Sequence, residues 1–512
     1  MTHAQQPLAS RYRKLESARQ PYLGRARDNA KVTIPALMPP EGATAHTALT
    51  IGNQSLGARL VNHLTSKLVL ALMPPNRPFF RTDIDEISLR KLAGNPGEKA
   101  DIQDSLAKYD RALHTHIESS QLRNKANEAV RQLIVCGTVL LHIVDDKLVR
   151  VYKLDTFVQR LDSTGTLLEV IIREQVSPLT LDEETRAACQ LKEPDGAPTP
   201  ESEDVDVFTC YELREDGRYH VWQEINDLTV PGSEGRYTPE ALPLLSMRYS
   251  AIDGEHYGRS YVEEYLGDLV SLETHMKALN DGAVLDARRI YFTAPGSMVT
   301  PRQLERAKNG AVLRGNAADV TVLRSEKAAD MRVGLEVIHD IQSRLSYAFL
   351  MHSAIQRSGE RVTAEEIRVM ARELEEGLGG VYSLMSQEFQ LPVVRAYRTL
   401  LERKKKLPTL PKNIVSVKIV TGLEALGRGQ DIDQLQLFLS DVAAFGGPAI
   451  SMLNPRELVM RLAVSRGIDT TDLVKSSEEL QQEQTQAMMQ SITEQAGPGL
   501  VQQVASSMMP QQ

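Results

Sequence analysis

Cysteine, aromatic residues, excess positive charge and long apolar runs are all scarce in this chain, and each shortage removes a class of protein. There are three cysteines in 512 residues, Cys136, Cys189 and Cys210. They lie far apart, are odd in number and form no CxxC pair. A zinc ribbon or thioredoxin-like site is therefore excluded, and free thiols in a reducing compartment are expected. One tryptophan and 5% aromatics leave too little for a stacking platform on single-stranded nucleic acid. Lys and Arg number 59 against 67 Asp and Glu, a net charge of −8, so the chain does not wrap nucleic acid by bulk charge. Apolar runs such as Leu68 to Met73 fall far short of the ~20 residues that span a bilayer, and no membrane partner is expected. The opening MTHAQQPLASRYRKLESARQ is polar and basic with no apolar segment behind it, so it reads as no secretory signal and the chain as a cytoplasmic product. Glycine and proline are not in excess, which excludes collagen-like or low-complexity scaffolds.

Catalytic signatures are missing too. The chain contains no Gly-Lys pair, so a Walker-type motor is excluded. Gly377-Leu378-Gly379-Gly380 and Gly427-Arg428-Gly429 are too short for a dinucleotide loop. His114 and His116 are two apart on an expected helix and diverge, so they do not share a metal. No HExxH and no GxSxG pattern occurs. Asp145-Asp146 and Asp431-x-Asp433 read as solvated faces or helix starts rather than a two-metal nuclease. The sequence thus carries no catalytic, cofactor or metal site, and no enzymatic activity is expected.

What is present is a folded composition of 42% hydrophobic and 25% charged residues. Its length suggests about three domain-sized units at roughly 150 residues each. Residues 1–135 read as mostly helical. Leu56, Leu60, Leu64, Leu68 and Leu72 form an i, i+4 ladder that Pro74-Pro75 stops, and a second helical stretch runs from about Lys99 to Cys136. From Thr138 to Ser250 the period changes towards two. Thr156 to Leu161 and Thr166 to Arg173 flank a turn at Asp162 to Gly165, and Val205 to Leu213 and Arg218 to Gln223 flank Arg214-Glu215-Asp216-Gly217. Between the hairpins, Lys192 to Asp206 is a proline-rich, acidic surface loop.

After Gly258 the pattern is strongly helical. Val262, Leu266, Leu269, Leu272, Met276, Leu279, Ala283, Ala287 and Ile290 make one stripe, a rod of roughly 40 Å. Pro295-Gly296 and Pro301 end it. A small insertion follows, with a short helix at Pro301 to Lys308 and strand-like Ala311 to Leu313 and Val320 to Leu323. A second helix from about Met331 to Met351 is striped by Val333, Val337, Ile341, Leu345 and Ala348. Two long helices around a small module imply an antiparallel stalk with a cap at its far end. Thr363-Ala364-Glu365-Glu366 is a capping box that opens a further helix, kinked near Gly377, Gly379 and Gly380. A basic run (Arg403 to Lys406), a strand at Asn413 to Val420 and terminal helices at 431–445, 455–466 and 477–493 complete the chain.

Four segments resemble one family, the portal or head-to-tail connector proteins of short-tailed double-stranded DNA phages. They are GARLVNHLTSKLVLALMPP (Gly57 to Pro75), DGEHYGRSYVEEYLGDLVSLE (Asp253 to Glu273), Ala354 to Arg395 and TGLEALGRGQDID (Thr421 to Asp433), in family order. The resemblance implies an α+β, mainly helical fold with a wing, a two-helix stem, a clip and a crown, assembled as a dodecameric ring at one capsid vertex. On it, the wing is 1–258, with a β-rich part at about 138–250. The first stem helix is 259–293, the clip 294–330, the second stem helix 331–351 and the tunnel loop 352–362. A long kinked helix returns to the wing over 363–429, and 430–512 form a helical crown with a frayed tail.

As implied partners the family brings double-stranded DNA passing through the channel, the terminase large subunit, scaffolding and major capsid proteins, internal core proteins and tail adaptor proteins. The implied location is the portal vertex of the virion, and the host cytoplasm during assembly. A DNA channel must touch its strand without holding it, and twelve chains would carry about −96 formally, a field that repels more than it grips. Gln356, Arg357 and Arg361 lie in the expected tunnel loop and could make sparse phosphate contacts; equally, the arginines pair with Glu360, Glu365 or a neighbouring subunit. Val262, Leu266, Leu269, Met276, Leu279, Val337, Ile341 and Leu345 are expected to pack the stem within and between subunits. Arg288-Arg289 and, on the clip, Arg302, Arg306 and Lys308 face either DNA or the tail proteins and packaging motor. The basic run Arg403 to Lys406 reads as a solvated helix end at least as well as a nucleic-acid contact. The rival readings are an internal scaffolding or core protein, and a packaging enzyme.

Overall fold

The structure is a computed structural model that describes residues 6–44, 46–75, 78–84, 96–191, 204–287, 290–323, 328–351, 377–378, 380–410, 414–420, 438–442 and 458–459. The expected tunnel loop, the capping box at Thr363, the Arg288-Arg289 pair and the expected crown helices lie outside the described residues, apart from helical turns at 438–442 and 458–459. The chain divides into two compact units. One comprises 1–82, 109–412 and 417–422; the other comprises 83–108, 413–416 and 423–512.

In chain order the first elements are α1 (Leu8–Lys31), α2 (Leu56–Leu72), β1 (Phe80–Ile84), α3 (Pro96–Glu118) and α4 (Leu122–Cys136), of which residues 83–108 belong to the second unit. The leucine ladder of α2 is buried throughout, and Val61, Thr65, Lys67, Val69 and Ala71 are buried with it, so the helix is enclosed rather than one-sided. The stretch expected as one helix to Cys136 is two, because Ser120 caps the interruption: its Oγ donates to Ile117 O and accepts from Leu122 N. Gly137, at φ 80°, ends α4 with the left-handed residue that helix C-termini favour.

Two antiparallel sheets follow. Strands β2 (Thr138–Ile143) and β3 (Val149–Tyr152) pair with β10 (Leu244–Arg248) in the order β10-β2-β3. Strands β4 (Phe157–Leu161), β5 (Leu167–Val176), β6 (Val205–Leu213), β7 (Tyr219–Ile225) and β8 (Leu228–Thr229) make a meander, with β9 (Gly235–Tyr237) paired to β7. A short helix, α5 (Glu183–Ala188), lies between β5 and β6. Both hairpins read from the sequence are present. Asp162 accepts from the amides of Thr164 and Thr166, and Gly217 takes φ 70° in the second turn. Leu8 and Tyr12 of α1 pack on Val158, Ile171, Cys210 and Trp222 of the meander. Most of the remaining core is one cluster that runs from the helices through the three-stranded sheet into the helical stretches around 261–279 and 338–349. All three cysteines are free and buried, and burial pushes the Cys136 thiol up to about 12, which keeps it protonated and inert.

His142 lies where β2 meets the meander, within 3.3 Å of Tyr211 Oη and stacked on Tyr152. Burial, and secondarily the Arg150 charge, lower it to about 4. An unfolded histidine titrates near 6.5, so the folded state binds fewer protons between those values, and stability present above pH 6.5 is lost as pH falls towards 4. Chemical denaturation should therefore show a loss of about 2 kcal/mol between pH 7 and pH 5 from this residue. The His142→Gln variant should show a shallower pH dependence; an identical slope would remove His142 from the account.

Later in the chain, α10 (Val381–Met385) runs through a π-helical turn at Ser386–Gln390 into α11 (Leu391–Arg403), and β13 (Val415–Ile419) follows. Gly380, at φ 87°, marks the expected interruption of this helical stretch.

Candidate functional site

The helical stretch after Gly258 starts at a crossing of two backbones. Gly137, at the end of α4, and Gly258 lie so close that a Cβ on either would sit 2.5 Å from the carbonyl oxygen of the other. Gly258 N donates to Thr138 Oγ1 at 2.7 Å, and Asn29 Nδ2 of α1 reaches both Val135 O and Ser260 Oγ. Ser260 in turn accepts from Glu263 N and so caps a single turn, α6 (Tyr261–Glu264). Arg259 pairs with Glu255 and Glu263 beside it. The direction in which this helical segment starts is thus set by hydrogen bonds from two other parts of the chain, α1 and β2.

The expected rod 259–293 is segmented. After a break at Tyr265, α7 (Leu266–Ala287) carries the helix, and Ile290–Thr293 is a strand, β11, paired antiparallel with β12 (Val320–Leu323). An apolar period alone cannot show where helical hydrogen bonding gives way to pairing with a distant strand. The second helix, α9 (Ala328–Ala348), runs antiparallel to α7: Arg344 near its end bonds Asp268 near the start of α7, and Met331 near its start lies 2.9 Å from where a Cβ on Gly282 would be. Gly282 therefore admits its neighbour without interrupting the helix. Glu273 of α7 accepts from the amides of Asn53 and Gln54 and from Asn53 Nδ2, and so ties the loop before α2 to this helix.

Of the residues expected to pack the stem, Val262, Leu269, Ile341 and Leu345 are buried, while Leu266, Met276 and Leu279 are partly buried against the same cluster. Val337, by contrast, is 38% exposed and Val333 61%. The buried stripe of α9 is Ile338, Ile341, Leu345 and Phe349. Steps of four residues turn 400°, so a 333-337-341-345 series drifts across the helix face, whereas mixed steps of three and four hold their side. Val333, Val337 and Tyr347 on one side of α9, Leu335 on another, and Val270 and Val284 of α7 are apolar and exposed.

The cap of the stalk holds the β11–β12 ribbon and α8 (Pro301–Arg306), started by a capping box between Thr300 and Gln303. Residues 311–313, expected as a strand, are irregular, with Val312 97% exposed. Arg302, Arg306 and Lys308 are all exposed on this cap. Elsewhere, the basic run after α11 is partly spent on structure. Lys404 bonds Asp145 and Asp146, and Lys406 bonds Asp146, whose carboxyl is held below the usual range chiefly by the Lys406 hydrogen bond. Sequence reading missed this pairing because the partners are some 260 positions apart (the Lys404–Asp145 separation is 259). Gln356, Arg357 and Arg361 lie outside the described residues. Among the described residues no group of three metal-ligating side chains occurs, and no helix is long and apolar enough to cross a membrane.

Residues 259–351 thus form an antiparallel two-helix stalk with a small cap. The chain belongs to the bacteriophage head to tail connecting proteins, whose family profile matches residues 5–474. It is 38% identical over 502 residues to the portal protein of Escherichia phage T7, covering 97% of this chain and 93% of that one. It is 39% identical over 495 residues to the portal protein of Enterobacteria phage T3, covering 95% and 90%. Among solved structures, the neck of an empty gene transfer agent particle aligns with 81% of this chain and 90% of its own, at 13% identity and a TM-score of 0.36, a similarity too low to carry an inference about shape. The family expected from the four sequence segments is the one found, and it makes the chain a structural component of the phage virion at the head-to-tail connection rather than an enzyme.

Proposed function

We propose that the chain works as one of twelve subunits of a ring around a DNA channel at a single capsid vertex. The observation that carries this reading is the group of exposed apolar side chains on the stalk. Val333, Val337 and Tyr347 share one side of α9 at 100° per residue and stay exposed in one chain, as do Val270 and Val284 of α7, although the two helices are already packed on each other; exposed apolar side chains grouped in this way favour a protein partner. Neighbouring copies placed side by side would cover them. In this reading 1–258 is the wing, 259–293 and 331–351 the stem, 294–330 the clip, and 430–512 the crown. The ring serves as the passage for DNA packaging and ejection. Arg302, Arg306 and Lys308 on the clip are the docking side for the terminase large subunit and later the tail adaptors. Scaffolding, major capsid and internal core proteins meet the wing and crown during assembly in the host cytoplasm. Gln356, Arg357 and Arg361 form the sparse contact ring on DNA, within a field of about −96 formal charges.

Two measurements test it. Native mass analysis of purified protein should give one discrete species near twelve chain masses, and averaged electron-microscopy images should show a hole; a stable monomer would end the ring reading. Arg357→Ala with Arg361→Ala should leave that species unchanged and lower the DNA held per particle. Loss of the ring in the double variant would make those arginines assembly residues instead.

A further inference from the structure

The C-terminus of α9 carries a backbone anomaly in the right place to matter. Leu350 has φ 56°, the left-handed region that costs an L-residue about 1–2 kcal/mol and that glycine fills freely. Around it the helix ends in a Schellman arrangement: Met351 N bonds Ser346 O at 2.8 Å and Leu350 N bonds Tyr347 O at 3.0 Å. Glycine is the usual residue at that position, and here it is leucine. The leucine carbonyl is gripped from α2, where Lys67 Nζ donates to Leu350 O at 2.8 Å and His63 Nε2 to the same oxygen at 3.1 Å. Lys67 is 5% exposed, within the enclosed helix α2. The Lys67 bond is charge-assisted, the stronger class, so together with the His63 bond it can hold a conformation that the side chain disfavours. On its other side Leu350 Cδ2 lies 2.9 Å from where a Cβ on Gly377 would be.

We propose that Lys67 and His63 are positioning residues that clamp the exit of the second stem helix in a strained turn, and so fix the direction in which the chain leaves the stem towards the channel. The channel part rests on the function proposed above; the clamp itself does not. The strain makes the clamp testable apart from ordinary packing, since a residue that accepts positive φ should no longer need it.

Hydrogen exchange on the purified full-length protein reads this directly. Lys67→Met should raise exchange of the Leu350 and Met351 amides on the order of tenfold while leaving α7 unchanged. Adding Leu350→Gly should restore protection, and Leu350→Asn, which also tolerates positive φ, should restore part of it. A lysine that merely supported packing would raise exchange along α2 and α9 together, and glycine would not rescue it. Unchanged exchange at Leu350 and Met351 in Lys67→Met, or failure of both rescues, overturns the clamp. DNA content of particles carrying Lys67→Met tests the second half: reduced content with an intact ring supports the link to the channel, and raised local exchange with normal DNA content overturns that link while leaving the clamp standing.

Discussion

Gly258→Ala should be among the most damaging single-methyl changes in the chain. The added carbon would lie 2.5 Å from Gly137 O, 2.8 Å from Arg248 Cβ and 3.1 Å from Arg248 Cα, so two of the three atoms it meets are backbone. Neither side can yield cheaply. Gly137 closes α4, and Arg248 is held by Glu388 of the π-helical turn, which accepts from its backbone amide at 2.8 Å and from its guanidinium at 2.5 Å. Overpacking of this kind costs about 1–3 kcal/mol. Parting the strands would also disturb the Gly258–Thr138 bond and the Ser260 cap. Gly137→Ala should be worse, because it adds about 1–2 kcal/mol of left-handed strain to the same clash. Gly254, at φ 83° with nothing within 4 Å, separates the two terms, since its alanine variant carries strain alone. Thermal unfolding of the three variants should rank Gly254→Ala mildest and Gly137→Ala most severe. Wild-type stability of Gly258→Ala would mean that the two backbones do not meet as described.

The second large effect is expected at Arg19, which lies on α1 and is 2% exposed. Its Nη1 is surrounded by acceptors: Leu154 O at 3.2 Å, Asp155 O at 2.9 Å, Phe157 O at 2.6 Å and Tyr12 Oη at 3.0 Å. Nη2 reaches Glu16 at 3.1 Å. The guanidinium thus fastens the turn between β3 and β4 to the first helix. Arg19→Met keeps most of the volume and leaves buried carbonyls without their donor, at about 1.5–3 kcal/mol for each bond to a charged group, so a total near 4 kcal/mol is expected. Arg19→Lys retains the charge but presents a single compact ammonium, and should recover about half. Urea midpoints of the three proteins provide the measurement. A loss under about 1 kcal/mol in Arg19→Met would show that water replaces the guanidinium freely.

Before these structural expectations, the sequence made the stalk legible because its signals are local. A stripe with steps of three and four and prolines at the ends each act within a few residues; α8, α9 and both hairpins lie within a few positions of that reading, and α7 lies inside the longer rod expected at 259–293. The meander was equally legible, because Asp162 and Gly217 set their turns from side chains inside the turn itself. Errors fell where the deciding partner is far away. Ile290–Thr293 is a strand because Val320–Leu323 offers it a ladder, and Val333 and Val337 lie outside the intrachain core because the buried side of α9 is the one that holds Ile338, Ile341 and Leu345.

By itself, then, the sequence determined the class of elements, their order, the absence of recognisable catalytic motifs and the family, since these depend on composition, period and contiguous segments. Only the tertiary structure decided that Gly137 and Gly258 share one space, that Arg19 holds a turn more than 130 residues away (|i−j| of 135 to Leu154), that Lys404 and Lys406 answer Asp145 and Asp146, and that Lys67 grips Leu350. The physical reason is the same in each case. A charge or a missing Cβ has no preferred partner along the chain, and its meaning is set by whichever backbone the fold brings within about 3 Å of it.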